Sequence, residues 1–473
     1  MRRASRRCSL KRQSHLEYDS LPHNEALTEA TALYRLLLGI EKAISRSQAG
    51  GKFPGCANDF LANCRQAILE TKKDVVRRLD DTRGNPQALQ DCRGAIAQLR
   101  GAWVGLHDFI KPVLDATALQ IPYPLTNLLN HQVQSIPEME DVRILVCLTP
   151  QLNYFQRRHT GIRRLLADLK TVVRKCPEFG KIGFVSLPFF ESRGLFLNCI
   201  LYHEIGHLIF EEKEYRSQLW IDFLTSIQQD KRFSNPMPVT RSWLLQRLMA
   251  WAEELFADLM AITLLGPGYT FAGAFLIHLL VGLLPDEGQQ FHDLHPPHAL
   301  RFREQLRALR RRGWTIRGPL WQQVRKEGAA KNRDFLPPSE YEQGFQDNVW
   351  RPLMDIFLQA VPGIHALCAD CIQPTRTAAN DFAKYDAFIQ ESIAHGVVPS
   401  LVTTNAGSAR PTTTSIINSA MMYWLDGMDD LYKIFNEANQ QDVEDRSVVE
   451  GRVEGWAMKA VEDWLLAEGK VGS

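Results

Sequence analysis

The sequence predicts a mainly α protein with a small β-sheet, an α+β chain, from three observations. Apolar residues recur at helical spacing over most of the chain. In Leu89, Cys92, Ile96, Leu99, Trp103, Leu106 and Ile110, alternating steps of three and four draw one seam down a helix. Only two short runs, Val142–Leu148 and Ile182–Phe190, carry the β-branched and aromatic density of strands. At 473 residues and 45% hydrophobic, the chain can bury two or three packed regions.

Residues 1–20 begin with Arg2, Arg3, Arg6, Arg7, Lys11 and Arg12 and continue as polar QSHLEYDS, where a signal peptide needs an apolar stretch. They are expected to be a disordered basic tail. Residues 21–135 are expected to be an antiparallel helical bundle. Besides the seam above, Leu33, Leu37, Ile40 and Ile44 form one stripe and Leu61, Cys64, Ile68 and Val75 another, with joints at Gly50-Gly51 and Asn85-Pro86. Such stripes are core, so the bundle is assigned a packing or partner role.

Residues 136–315 follow the punctuation at Pro122 and Pro124 and form the expected central region. Val142–Leu148 is a buried strand. A helix is expected over about Phe155–Lys175, with Arg157, Arg158, Arg163, Arg164, Lys170 and Arg174 against Asp168 alone. Without interleaved aromatics or a recognised motif this is read as a solvated face, and no nucleic-acid partner is predicted. Ile182–Phe190 is the second strand, and Pro188 suits an edge position. Arg301–Arg312 is a basic helical segment. Residues 316–473 are expected to be a C-terminal helical region packed on the core, ending in the amphipathic Val449–Leu466. Within it, Val402–Thr414 is a loop, a mobile lid or a connector, and the lone Cys368-Ala-Asp-Cys371 is left unassigned.

The formal charge of +1 supplies no overall field for gripping nucleic acid or an anionic membrane. Nine scattered cysteines lack the dense spacing of a disulfide-stapled domain, which favours free thiols and a cytoplasmic location. Leu259–Leu284 contains no Asp, Glu, Lys or Arg, but Gly266-Pro267-Gly268 interrupts it. The remainder is shorter than the roughly 20 residues a spanning helix needs. A buried core helix is expected, and an integral membrane segment is the alternative.

Chemistry concentrates in Leu201-Tyr202-His203-Glu204-Ile205-Gly206-His207-Leu208-Ile209, an HExxH with uncharged flanks. Residues four apart share a helical face, so two imidazoles can reach one ion, while Glu204, one position on, points to the metal's open side as general base. By chance the motif arises in roughly one chain in fifty of this length and composition, so a third ligand is needed. Glu211 lies about 12 Å along the axis from His203, too far to converge. Phe210 and Lys213 occupy the positions where a metzincin has its glycine and third histidine. The better candidate is in Trp251-Ala-Glu253-Glu254-Leu-Phe-Ala-Asp258. Glu254 and Asp258 share a face, so Glu254 can bind metal while Asp258 accepts the other ring N–H of a ligating histidine. Glu253 is expected to point elsewhere. The apolar flanks bury this helix, and buried carboxylates call for a cation. Zn2+ is the expected ion.

With His295-Pro-Pro-His298-Ala-Leu-Arg301 added, the set resembles the gluzincin peptidases, particularly the M48-like group, over about residues 182–301. The resemblance implies a zincin-like catalytic core flanked by helical regions. It implies His203, His207 and Glu254 as ligands, Glu204 as base, Asp258 behind the ligands, and His295 and Arg301 lining the cleft. His295 could donate to an oxyanion, or the HPP stretch could be a turn capping the next helix. The resemblance also implies that the strand ending near Phe190 is an edge on which an extended peptide pairs. The expected function is metal-dependent hydrolysis of a peptide or protein substrate. The alternatives are a non-catalytic zinc-stabilised scaffold that binds a protein partner, and an integral membrane M48-type peptidase.

Overall fold

The computed structural model describes residues 2–469 other than 51, 52, 54, 83, 84, 117–120, 122, 150–154, 158, 189–193, 234–239, 284–294, 316–321, 323–345, 374, 375, 405 and 439–445. The readings at Pro122, Arg158 and Phe189–Phe190, and much of 316–345, lie outside the described residues. The protein is mainly helical with two small sheets. It falls into two compact units, one of residues 1–121, 145–148 and 157–184, the other of 122–144, 149–156 and 185–473.

The first unit contains α1 (Arg2–Gly50), α2 (Gly55–Asp81), α3 (Pro86–Asp115) and a fourth helix, His159–Val172. Helix α1 is continuous through residues 2–20, the stretch expected as a disordered tail; residues 2–20 contain neither glycine nor proline. The expected seams are the core: Leu33, Leu37, Ile44, Leu61, Ile68, Ile96, Leu99, Trp103 and Ile110 are all buried. Each large aliphatic or aromatic side chain removed from water contributes about 1.5–3 kcal/mol. The joint before α3 forms as its residues dictate: the Asn85 side chain accepts from the Gln87 and Ala88 amides, and Pro86 opens the first turn, where its missing N–H costs nothing. Buried Trp103 donates its Nε1–H to Thr71 Oγ1 at 3.2 Å, so the indole is buried without a lost hydrogen bond.

Helix α4 (Tyr123–Gln134), which the sequence places in the first bundle, belongs to the second unit. The residues expected as a central and a C-terminal region fall largely in that same unit. Strands β1 (Val142–Thr149), β2 (Phe155–Arg157) and β3 (Lys181–Pro188) form one sheet in the order β1-β3-β2. Two expectations are corrected here. Phe155–Arg157 is a strand rather than the start of a helix, so α5 spans only His159–Val172. And β3 is the central strand, paired on both sides, rather than the edge that Pro188 suggested. The proline stands at its last residue, where a missing donor does not interrupt the ladder.

The rest of the second unit is helical. It comprises α6 (Leu201–Glu212), α7 (Tyr215–Gln229), α8 (Arg241–Leu264), α9 (Pro267–Leu283), α10 (His298–Arg311), α11 (Arg351–Cys371), α12 (Thr377–Ala394), α13 (Thr413–Asp426), α14 (Met428–Ala438) and α15 (Arg446–Ala467). Leu259–Leu283 therefore falls in two helices broken at Gly266, whose φ of 88° suits glycine, and Leu284 lies outside the described residues. Asn418 of α13, fully buried, clips the break. Its Nδ2 donates to Leu265 O at 2.7 Å, and its Oδ1 accepts from Gly268 N at 2.6 Å, satisfying backbone groups that the helix ends leave open. Among the described residues one helix, Asn348–Cys371, is long and apolar enough to cross a bilayer by length and composition, and half of it is buried. Its aromatic residues Trp350 and Phe357 pack edge-on against Trp251 of α8. The expected loop Val402–Thr414 contains an antiparallel hairpin, β4 (Val402–Thr404) with β5 (Gly407–Ala409), and Thr412 then caps α13. The eight cysteines from Cys56 to Cys371 are in no disulfide.

Candidate metal centre

A 3-10 turn, Leu197–Ile200, leads into α6, which carries the HExxH. Helices α6 and α8 meet at Gly206. A Cβ there would lie 2.5 Å from Ala257 Cα and 2.8 Å from its carbonyl oxygen, so only glycine lets the backbones come this close. That approach brings two histidines of α6 and a carboxylate of α8 to one point. His203 Nε2 is 3.3 Å from Glu254 Oε2, His207 Nε2 is 3.4 Å from Glu254 Oε1, and the two Nε2 atoms are 3.1 Å apart. All three donor atoms lie within 4.8 Å of one another, and the group could hold a metal ion.

The surroundings fit a cation. Asp258 Oδ1 is 3.0 Å from His203 Nδ1, and Glu253 Oε1 is 3.3 Å from His207 Nδ1. Each carboxylate places the ring proton on Nδ1 and leaves a lone pair on Nε2. Two lone pairs facing each other at 3.1 Å repel unless a positive charge lies between them. Glu254 Oε2 is a buried acceptor that makes no well-aligned hydrogen bond, although His203 Nε2, His295 Nε2 at 3.2 Å and an Arg301 nitrogen at 3.5 Å are near. A donor off the lone-pair direction leaves the oxygen unsatisfied however near it lies.

The electrostatics agree. Burial alone would depress His203, yet Asp258 and Glu254 outweigh it and raise the imidazole to about 10. Burial opposes ionisation of Glu254 too, but His295, His207 and His203 hold it below the usual carboxylate range. Asp258 is likewise held low against burial, mainly by Arg301. These groups favour a positive charge among them, which a metal ion would supply in place of a proton.

Behind the ligands, Asp258 is fully buried and gripped by Arg301 of α10, Nε to Oδ2 and Nη2 to Oδ1, both at 2.7 Å. Arg301 therefore braces Asp258 in addition to approaching Glu254. The HPP stretch places a histidine, His295, beside Glu254 and a proline, Pro297, at the start of α10, its carbonyl accepting from Leu300 N at 2.9 Å. Glu204 is buried beside His203, and its charge acts on His207. The structure thus brings together His203, Glu204, His207, Glu254, Asp258, His295 and Arg301.

One expectation is corrected: Glu253 does not point away. It bridges His207 Nδ1 and Arg216 of α7, whose guanidinium donates to its other oxygen. Sequence reasoning also missed Tyr269 of α9, whose hydroxyl donates to Asp258 Oδ1 and lies 3.2 Å from His203 Nδ1. The available signal was a lone phenol in an uncharged, mostly apolar run, since a buried tyrosine hydroxyl usually has a partner. Compared with protein-family models, curated proteins and solved structures, the chain matches none of them.

Proposed function

We propose that the protein is a zinc-dependent metallopeptidase of the gluzincin type, M48-like, with a zincin-like core around α6 and α8. The observation that carries this reading is the convergence of His203 Nε2, His207 Nε2 and a Glu254 oxygen within 4.8 Å of one another, with Glu204 one residue from His203. A purely structural site would need no such base. His203, His207 and Glu254 would hold the ion. Bound there, zinc supplies Lewis acidity, which acidifies water and polarises a scissile carbonyl.

The chain's own residues do the rest. The Glu204 carboxylate takes the proton of the attacking water and passes it to the leaving amine. Asp258 and Glu253 hold the Nδ1 protons of the two histidines, which keeps both rings oriented. His295, beside Glu254, donates to the negative charge that develops on the carbonyl oxygen. Peptide or protein is the proposed substrate and the cytoplasm the proposed compartment. Because β3 is the central strand, a peptide that pairs with this sheet would do so along β1 or β2.

The test compares zinc per chain and peptide cleavage in the parent, Glu254→Ala and Glu204→Gln. One zinc in the parent, its loss in Glu254→Ala, and retained zinc without turnover in Glu204→Gln are expected. Cleavage undiminished in Glu204→Gln would remove the base. A parent that binds zinc but cleaves nothing in a peptide library would favour a zinc-stabilised scaffold instead.

A further inference from the structure

We propose that Tyr269 is a positioning residue for His203, fixing the imidazole in the tautomer that leaves Nε2 to the metal. The inference rests on the metal reading above. The phenol has one proton, and its closest contact is Asp258 Oδ1, so the hydroxyl donates there. Its oxygen then turns a lone pair toward His203 Nδ1 at 3.2 Å. Nδ1 therefore faces two acceptors, Tyr269 Oη and Asp258 Oδ1, the latter at 3.0 Å. A lone pair on Nδ1 would oppose both, so the proton resides on Nδ1 and the lone pair on Nε2.

Asp258 is poorly placed to do this alone. Its Oδ1 is shared among Tyr269, Arg301 and His203, and its Oδ2 is taken by Arg301. The second acceptor makes up for that division. The two rings lie within 3° of parallel at a centroid distance of 6.0 Å, so turning the imidazole would break both contacts together. Tyr269 is itself fixed. It is buried, it follows the joint that Asn418 clips, and its ring passes close to Gly273, where an added Cβ would lie 3.9 Å from Cζ.

The experiment measures zinc affinity by chelator competition in the parent and Tyr269→Phe, with melting of both metal-free proteins alongside. A tenfold to hundredfold weakening, about what loss of such a partner produces, is expected, with metal-free melting lowered by no more than the loss of one buried hydrogen bond. The visible spectrum of the cobalt(II)-substituted variant should also differ from the parent's. Equal zinc affinity and equal cobalt spectra would overturn the role of Tyr269. A parent that binds no zinc would overturn the metal reading itself. Should Tyr269→Phe fail to fold, 15N resonances of histidine-labelled, zinc-loaded parent answer the question, with His203 assigned by its loss in His203→Asn. A protonated Nδ1 with metal on Nε2 is expected, and metal on Nδ1 would overturn the proposal.

Discussion

Replacing Gly206 by alanine tests whether helix approach makes the site. The new Cβ would stand 2.5 Å from Ala257 Cα and 2.8 Å from Ala257 O, both backbone atoms that no rotamer change can withdraw. Ordinary carbon contact begins at about 3.5 Å, so α6 and α8 must separate locally by about 1 Å. Overpacking of this kind costs about 1–3 kcal/mol, and the helix preference for alanine over glycine returns about 1 kcal/mol, so the net loss is about 0–2 kcal/mol. The fold should survive. The ligand set should not, because metal–ligand distances tolerate only about 0.2 Å and the shift moves Glu254 away from both histidines. Zinc affinity should fall at least tenfold, the lower end of what a disturbed supporting contact costs. The assay is chelator competition read beside thermal melting. A Gly206→Ala protein that binds zinc like the parent would show that the close backbone contact does not set the geometry, and the derivation of the site would fail with it.

Two further predictions follow from the buried groups. His203 is raised to about 10 in the metal-free fold, because Asp258 and Glu254 outweigh the burial that alone would lower it. An unfolded histidine titrates near 6.5, so the stabilisation is complete below about pH 6.5 and is lost as pH rises toward about 10. Melting of chelated protein should fall over that window, and the fall should shrink in His203→Gln; equal slopes would remove His203 as its source. Asn418→Ala strips the clip from the α8–α9 joint and leaves Leu265 O and Gly268 N buried without their partner. A loss of about 3 kcal/mol in urea denaturation is expected, and a change under about 0.5 kcal/mol would show that the joint holds without it.

The metal-capable group His203, His207 and Glu254 was legible in the sequence because its spacing is largely local. His203 with His207 and Glu254 with Asp258 each sit four apart on one helix, and that fixes a shared face whatever the helix packs on. The seam from Leu89 to Ile110 was legible for the same reason. Glu253 was not. Its neighbour His207 and its partner Arg216 come from other helices, and the α6–α8 crossing sets which way it points. Tyr269 was hidden in a run whose composition reads only as core, and its significance depends on Asp258 across a helix break. The central place of β3 depended on strand order, which the three-residue β2 decides from inside a segment whose arginines and leucines read as helix. Pro188 says that a strand ends but not which strand lies beside it.

The ligands lie on two stretches joined only through residues 208–253. An ion held by His203, His207 and Glu254 ties those stretches together independently of the chain that connects them. A protein nicked once within that interval would keep both halves tethered through the ion as well as through the α6–α8 contact. A chelator would then remove one tie among several, the packing of α8 on α7 and of α15 on α4 remaining, so that a lower melting temperature of the nicked protein, rather than the loss of an activity, would register the metal's departure.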